Sequence, residues 1–165
     1  MSASNYLRDA QASRVVDRCD LVVQGYLDKP AIRYGGNQAS YNPCDDIIRI
    51  PLPEGFVSFE IFYGTLFHEL IHSTGHESRL NRARYWHWKS RDDIAYQREE
   101  LVAEVGADYL CRFAKITRRR QRLCDCIGAV PDNDMARKAI DDAGKAFEYI
   151  LTTPIAVEMA LAVPA

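Results

Sequence analysis

The length, composition and charge of the chain limit what it can be. It has 165 residues, of which 47% are hydrophobic and 27% are charged, and these are ordinary values for a globular domain with its own core. We therefore expect a single domain over residues 1–165. The formal net charge of -2 gives no general attraction to nucleic acid or to an anionic membrane.

The amino-terminal sequence and the cysteines bear on the compartment. The start, MSASNYLRDA, lacks the basic and apolar segments of a secretory signal, and no apolar run is long enough to cross a bilayer. The five cysteines do not show the regular spacing of a disulfide framework. Both features predict a cytoplasmic protein with reduced thiols and no membrane partner.

In chain order, the sequence predicts one helix, three short strands and three further helices. Runs of β-branched and aromatic residues predict the strands, and we expect the first two to form a hairpin across Gly35 and Gly36. This order predicts an α+β fold with a small, mostly antiparallel sheet packed on helices. The predicted elements cover residues 9–27, 31–34, 39–42, 47–52, 56–74, 93–115 and 134–151.

The segment GTLFHELIHSTGH holds three of the four histidines of the chain. His68 and His72 are four residues apart, so on a helix they lie on one face and can bind the same metal ion. Glu69 is adjacent in sequence and can reach a water molecule at that metal. This H-E-x-x-H arrangement is typical of zinc metallopeptidases, in which it provides two ligands and a general base.

A third protein ligand could be a histidine or a carboxylate. His76 follows the predicted end of the helix directly, and the position of the third histidine in a metzincin pattern is Ser78 here. The next helix offers carboxylates in YQREELVAE, where Tyr96, Glu100 and Glu104 form one row at four-residue intervals. The carboxylate interpretation is therefore favoured over His76.

Three glutamates of that helix compete for the ligand position. Glu99 and Glu100 are about 100° apart around the helix, so they cannot both face the metal. Glu100 shares a face with small residues that permit close approach to the first helix, whereas Glu99 is predicted to point to solvent. We expect Glu100 to be the third ligand. Glu104, one turn further, is expected to accept the free imidazole N–H of His68 or His72.

Several motifs together resemble the zincin-like metallopeptidase domain of ArdC-type antirestriction proteins, which also occurs in phage and plasmid polyvalent proteins. These motifs are YNPCDDIIRIP, HELIHSTGHESRLNR and EELVAE. The resemblance implies a gluzincin-like fold and one zinc ion per chain. It implies His68 and His72 as ligands, Glu69 as the base and a glutamate of the second helix as the third ligand.

The resemblance shows two departures from the family pattern. The position after the second histidine is usually tryptophan in this family and is Ser73 here. ArdC-type proteins also carry an amino-terminal domain that binds single-stranded DNA, which we do not expect in this chain. The expectation of a zinc site does not depend on that domain.

The first functional hypothesis is a zinc-dependent metallopeptidase acting on a protein or peptide. Glu69 would serve as general base, and the strand predicted over residues 47–52 would pair with an extended substrate. Candidates for stabilising the oxyanion of the transition state are His76, Tyr96 and Arg79.

The second hypothesis is an antirestriction or host-defence interaction protein that uses the zincin core as a scaffold. Its local support is the basic run from Arg118 to Arg122, which could contact nucleic acid but usually forms a solvated face. No aromatic residue is interleaved in that run, so base stacking is unsupported there. Trp86 and Trp88 could line a substrate cleft or pack over the core.

Overall fold

The computed structural model describes residues 3–82, 90, 93–117 and 133–152. The predicted α+β class is confirmed: in these described ranges, four α-helices accompany a three-stranded sheet. Most predicted bounds are correct to within a few residues, although the first helix begins earlier than the spacing of apolar residues indicated. The elements are α1 (Ala3–Gly25), β1 (Ala31–Tyr34), β2 (Ser40–Asn42), β3 (Ile47–Ile50), a 3-10 turn (Pro53–Gly55), α2 (Phe59–Ser73), α3 (Ile94–Phe113) and α4 (Asn133–Leu151).

The sheet is mixed, with strand order β1-β3-β2, so the predicted hairpin between β1 and β2 is wrong. β3 pairs with β1 in parallel and with β2 in antiparallel orientation. Ile48 and Ile50 of β3 are fully buried, whereas β1 is mostly exposed. A buried strand must pair its backbone groups on both edges, and the central position provides partners for both.

This strand order also changes the expected role of the segment 47–52. It was expected to pair with an extended substrate, but both edges of β3 are already occupied by β1 and β2. Within the part of the chain that the structure describes, β1 and β2 form the sheet edges. A substrate that adds a strand would therefore have to pair with one of these two strands.

The turn between β2 and β3 is held by side chains of its own sequence. The Asn42 side-chain oxygen accepts a hydrogen bond from the Cys44 backbone N–H at 2.9 Å. Asp46 adopts a left-handed backbone conformation with φ 49°, which Asp tolerates better than most residues. Its carboxylate accepts a hydrogen bond from the Tyr41 hydroxyl at 2.8 Å. The NPCDD motif thus builds a tight, self-supported turn.

α2 begins later than predicted because Ser58 caps it: the Ser58 side chain accepts a hydrogen bond from the Ile61 backbone N–H. The helix is apolar on nearly all sides and packs against the sheet, α3 and α4. It ends at Ser73, and Thr74 rather than the predicted Gly75 is the carboxy-terminal cap residue. α2 is therefore a central helix of the core, surrounded by the other elements.

α3 lies between α2 and α4, and its contact with α2 is close at Gly106. A Cβ atom built on Gly106 would lie 2.7 Å from Cδ1 and 2.9 Å from Cγ1 of Ile71. Ala103 and Ala107, the small residues predicted to permit this approach, are fully buried. The backbones of the two helices can therefore pack directly next to His72.

α1 also packs on the core and contacts α2 and the end of α3. Cys19, Val22 and Tyr26 are buried in it, and the Tyr63 hydroxyl of α2 donates a hydrogen bond to Asp20 at 2.6 Å. The Arg18 side chain donates to the Ala114 carbonyl oxygen at 3.0 Å. α1 is thereby joined to both α2 and the end of α3.

The described cysteines, Cys19, Cys44 and Cys111, form no disulfide with one another. Cys124 and Cys126 lie outside the described residues. No helix in the described ranges is sufficiently long and apolar to cross a membrane.

The close contact at Gly106 generates a prediction about stability. We expect Gly106→Ala to lower the free energy of unfolding by about 1–3 kcal/mol, because the new methyl group overlaps the fully buried Ile71 side chain. Chemical denaturation of the metal-free protein measures this change.

Gly144→Ala in α4 is the matched control, because a Cβ atom at Gly144 meets no atom of the described residues within 4 Å. The control should raise the free energy of unfolding by up to about 1 kcal/mol through helix propensity. If Gly106→Ala raised the free energy of unfolding as much as Gly144→Ala, α2 and α3 would be able to move apart without loss of stability.

Candidate metal centre

α2 brings His68 and His72 together in the core of the protein. They lie one turn apart on the face of α2 that meets α3, and their side chains are 9% and 13% exposed. The two Nε2 atoms are 3.1 Å apart. Two imidazole nitrogens that point to the same place from adjacent turns of a buried helix can bind one cation.

Glu100 of α3 completes a group of three possible ligands. Its Oε1 atom lies 3.4 Å from His72 Nε2, and its Oε2 atom lies 3.7 Å from His68 Nε2. One donor atom from each of the three residues lies within 4.8 Å of the others, which is close enough to hold a metal ion. The Glu100 side chain is 27% exposed, so the centre is open to solvent on this side.

The outer nitrogen of each imidazole faces a buried carboxylate. His72 Nδ1 lies 3.2 Å from Oε1 of Glu99, and His68 Nδ1 lies 3.3 Å from Oε1 of Glu104. The first contact is a hydrogen bond. The contact between His68 and Glu104 is short enough for a hydrogen bond but is not aligned for one. His68 Nδ1 therefore has no hydrogen-bond partner within the described residues. A metal ligand of this kind needs such a carboxylate to fix its tautomer and ring orientation.

Glu99 does not point to solvent, as the helical-wheel argument predicted. Its side chain is 2% exposed and lies between His72 and Arg82. α3 is covered by α2 on one side and by α4 on another, so it buries far more than a single stripe of residues. The expectation failed because it assumed one buried face.

Arg82 neutralises Glu99 through two hydrogen bonds. Its Nε atom donates to Oε2 at 3.1 Å and its Nη2 atom donates to Oε1 at 3.0 Å. Arg82 also donates to the Ile71 carbonyl oxygen and to the Thr74 hydroxyl, both at 2.9 Å. A single buried guanidinium therefore joins the end of α2 to a carboxylate beside the metal centre. In the sequence, Arg82 is distinguished only as the last residue of the RLNR motif.

The charges around the imidazoles stabilise a cation. Burial lowers the pKa of His72, but hydrogen bonds to Glu100 and Glu99 outweigh it and raise the pKa to about 10. Burial raises the pKa of the Glu100 carboxyl, but the hydrogen bond with His72 and the charge of His72 outweigh burial and lower this pKa to about 2. A metal ion held by both Nε2 atoms would replace the His72 proton. Two neutral imidazoles and one carboxylate suit zinc and other divalent transition metals.

Glu69 is buried at 7% exposure beside this group. It is near enough to His72 for its negative charge to raise the pKa of that imidazole. Among the described residues, the Glu69 carboxylate takes part in no hydrogen bond or ion pair. Its oxygens are thus available to water or a substrate at the centre.

The three candidates for stabilising an oxyanion are placed very differently. Tyr96 hydrogen-bonds Glu100 and thereby helps to lower the pKa of that carboxyl, so it lies at the metal centre. His76 instead contacts Ser78, with its Nδ1 atom 2.8 Å from the hydroxyl. The geometry brings only Tyr96 next to a possible ligand.

Arg79 is held in a separate cluster. It forms an ion pair with Asp46 and donates hydrogen bonds to the Tyr41 hydroxyl and to the Ser73 and Asp28 carbonyl oxygens. Burial raises the pKa of Asp46, but hydrogen bonds from Arg79 and Tyr41 outweigh it, and the pKa is lowered. Arg79 therefore fastens the segment after α2 to the sheet and is not available as an oxyanion donor.

Ser73, the residue directly after His72, fits its surroundings. It is fully buried, its hydroxyl donates to the Leu70 carbonyl oxygen at 2.7 Å, and it lies 3.3 Å from the Tyr26 hydroxyl. Trp86, Trp88 and the run from Arg118 to Arg122 lie outside the described residues.

The chain resembles known proteins of plasmids and bacteria. It is 35% identical over 101 residues to a DNA primase TraC of Escherichia coli, which covers 61% of this chain and 9% of that protein. Another DNA primase TraC of Escherichia coli is 40% identical over 72 residues, 44% of this chain and 5% of the relative. An uncharacterised protein of Sinorhizobium fredii is 34% identical over 80 residues, 48% of this chain and 25% of the relative. The matched region is thus a small part of each relative.

The fold matches crystal structures of the antirestriction protein ArdC from plasmid R388. The Mn(II)-bound structure superposes with a TM-score of 0.66 at 28% identity, over 90% of this chain and 54% of ArdC. The metal-free structure gives the same TM-score at 29% identity, over 85% and 50% of the two chains. Residues 27–129, more than half of the chain, match the zincin-like metallopeptidase family. The chain belongs to the family of zincin-like metallopeptidase domains.

Proposed function

We propose that this protein is a zinc-dependent peptidase with one metal ion per chain. The observation that carries the proposal is the convergence of His68, His72 and Glu100, with the buried carboxylate of Glu69 beside them. Two histidines and a glutamate are the ligands of one class of zinc peptidases. The exposed side of Glu100 leaves room for a peptide to approach.

The chain's own residues would divide the chemistry among them. A bound zinc ion supplies Lewis acidity, which acidifies water and polarises the carbonyl of a peptide bond. Glu69 accepts the proton of the attacking water and then donates it to the leaving nitrogen. Glu99 and Glu104 would keep the imidazoles oriented, and Tyr96 is hydrogen-bonded to Glu100.

The second candidate function is an antirestriction or host-defence interaction protein. The structural match to ArdC, a protein named for antirestriction, favours it. In that case the metal would stabilise the fold, and Glu69 would have no chemical role. Binding to single-stranded DNA at several salt concentrations tests for phosphate contacts, which give a steep salt dependence.

Glu69→Gln distinguishes the two functions. The amide keeps the shape of the side chain but cannot accept a proton, so hydrolysis of peptides should fall by a factor of about 10² or more. The metal content should remain equal to that of the wild-type protein. A proteome-derived peptide mixture with and without a chelator, followed by mass spectrometry, supplies the substrates and the measurement.

Glu60→Gln in the first turn of the same helix is the matched control and should leave both properties unchanged. If Glu69→Gln loses the metal, Glu69 is a ligand and the base is another residue. If the wild-type protein binds zinc but releases no chelator-sensitive peptides, the interaction protein becomes the better proposal.

The three glutamates of α3 should differ in how strongly their replacement by alanine weakens zinc binding. Glu100→Ala should abolish tight zinc binding, because it removes a ligand. Glu104→Ala and Glu99→Ala should each weaken binding by about 10–100-fold, since each removes the partner of an imidazole Nδ1 atom. Isothermal titration with zinc measures the three dissociation constants.

Glu148→Ala on the exposed surface of α4 is the control and should bind zinc normally. A larger loss for Glu99→Ala or Glu104→Ala than for Glu100→Ala would show that the ligand is assigned to the wrong glutamate.

A further inference from the structure

Arg82 is the one buried cation that the described part of the structure places against the metal-centre carboxylates. Its side chain is 7% exposed, and that of its partner Glu99 is 2% exposed. Removing one partner of a buried pair leaves an uncompensated charge, which is much less favourable than the intact pair. Arg82 therefore stabilises Glu99 as a buried carboxylate beside His72.

The geometry of the Arg82–Glu99 pair fixes the orientation of the Glu99 carboxylate in addition to stabilising its charge. A guanidinium that donates two hydrogen bonds to one carboxylate fixes the plane of that carboxylate. Oε1 of Glu99, which receives a hydrogen bond from Arg82 Nη2, is the same atom that lies 3.2 Å from Nδ1 of His72. The position of the acceptor for the imidazole N–H is therefore set by Arg82.

The other contacts of Arg82 fix the guanidinium relative to α2 itself. It donates to the carbonyl oxygen of Ile71, the residue immediately before His72, and to the hydroxyl of Thr74. The guanidinium thus has one set of contacts with the ligand helix and another with α3. Arg82 therefore fixes the distance between His72 and its carboxylate partner, Glu99.

We propose that Arg82 is a positioning residue of the metal centre. Through Glu99 it holds the proton of His72 on Nδ1, which leaves Nε2 as the ligand atom and fixes the plane of the ring. Arg82 does not touch the metal or a substrate. The inference rests on the metal-binding part of the proposed function and is independent of peptide hydrolysis.

Arg79 provides a matched control within the same segment. It is also buried, with a side-chain exposure of 4%, pairs with a carboxylate and donates to a carbonyl oxygen at the end of α2, that of Ser73. Its carboxylate partner, Asp46, belongs to the turn between β2 and β3 and not to the metal centre. Loss of Arg79 should therefore affect folding without affecting the ligands.

The experiment compares Arg82→Gln and Arg79→Gln in the full chain. Cobalt(II) and zinc(II) affinities are measured by competition with a chelator, and the visible spectrum of the cobalt(II) protein reports the ligand geometry. We expect Arg82→Gln to weaken both affinities by about 10–100-fold and to change the cobalt spectrum. Arg79→Gln should keep the wild-type affinities and spectrum, although both variants lose stability to denaturant.

Arg82→Lys separates geometry from charge and serves as the test if Arg82→Gln does not fold. Lysine keeps the positive charge but cannot bind the carboxylate with two parallel hydrogen bonds. We expect an intermediate affinity and a shifted cobalt spectrum. A long-range ¹H–¹⁵N correlation spectrum of the zinc-loaded wild-type protein should show the His72 proton on Nδ1.

Three results would overturn the inference. The first is an unchanged metal affinity in Arg82→Gln or, if that variant does not fold, in Arg82→Lys. The second is an equal loss of metal affinity in Arg79→Gln. The third is a His72 proton on Nε2 in the zinc-loaded protein. If the wild-type protein binds neither metal, the metal-binding part of the proposed function fails before any variant is compared. If it binds metal but hydrolyses no peptide, the inference on Arg82 still stands or falls on the affinities.

Discussion

The direct contact between α2 and α3 is the interaction on which the rest of this structure depends. All three residues that could hold a metal lie on these two helices, and no loop contributes a ligand to the group formed by the described residues. Gly106 and two buried alanines allow the helices to approach until the imidazoles of one meet a carboxylate of the other. Because helices hold side chains more rigidly than loops do, the ligand group is fixed by packing before any metal binds.

The centre combines a strong local charge with burial. Glu69, Glu99 and Glu104 are buried within the same small region as His68 and His72. Buried carboxylates are unfavourable unless they are paired or hydrogen-bonded. Arg82 and His72 compensate Glu99, and Glu104 lies beside His68. A divalent cation held by His68, His72 and Glu100 would add positive charge to this acidic region.

The comparisons place this domain among proteins of different size and name. The TraC primases are much longer than the matched region, and ArdC is about twice the length of the superposed part. The residues that could hold a metal in this chain all lie on two helices of one core. A shared fold does not by itself assign a shared activity, so what each whole protein acts on is a separate property.

Helical spacing is a local property of the chain, so the helices, the pairing of His68 with His72 and the adjacency of Glu69 could be predicted from the sequence. It also indicated Glu100 and Glu104, which are four residues apart on one helix face. The tertiary structure decided the sheet order, the burial of Glu99 and the separate roles of Arg79 and Arg82. Strand pairing depends on which strand must bury both of its edges, and that is settled by contacts between distant segments. Likewise, whether a glutamate faces solvent depends on how many sides of its helix are covered. Two arginines three residues apart have the same local sequence environment, and only the folded chain gives one of them a carboxylate at the metal centre.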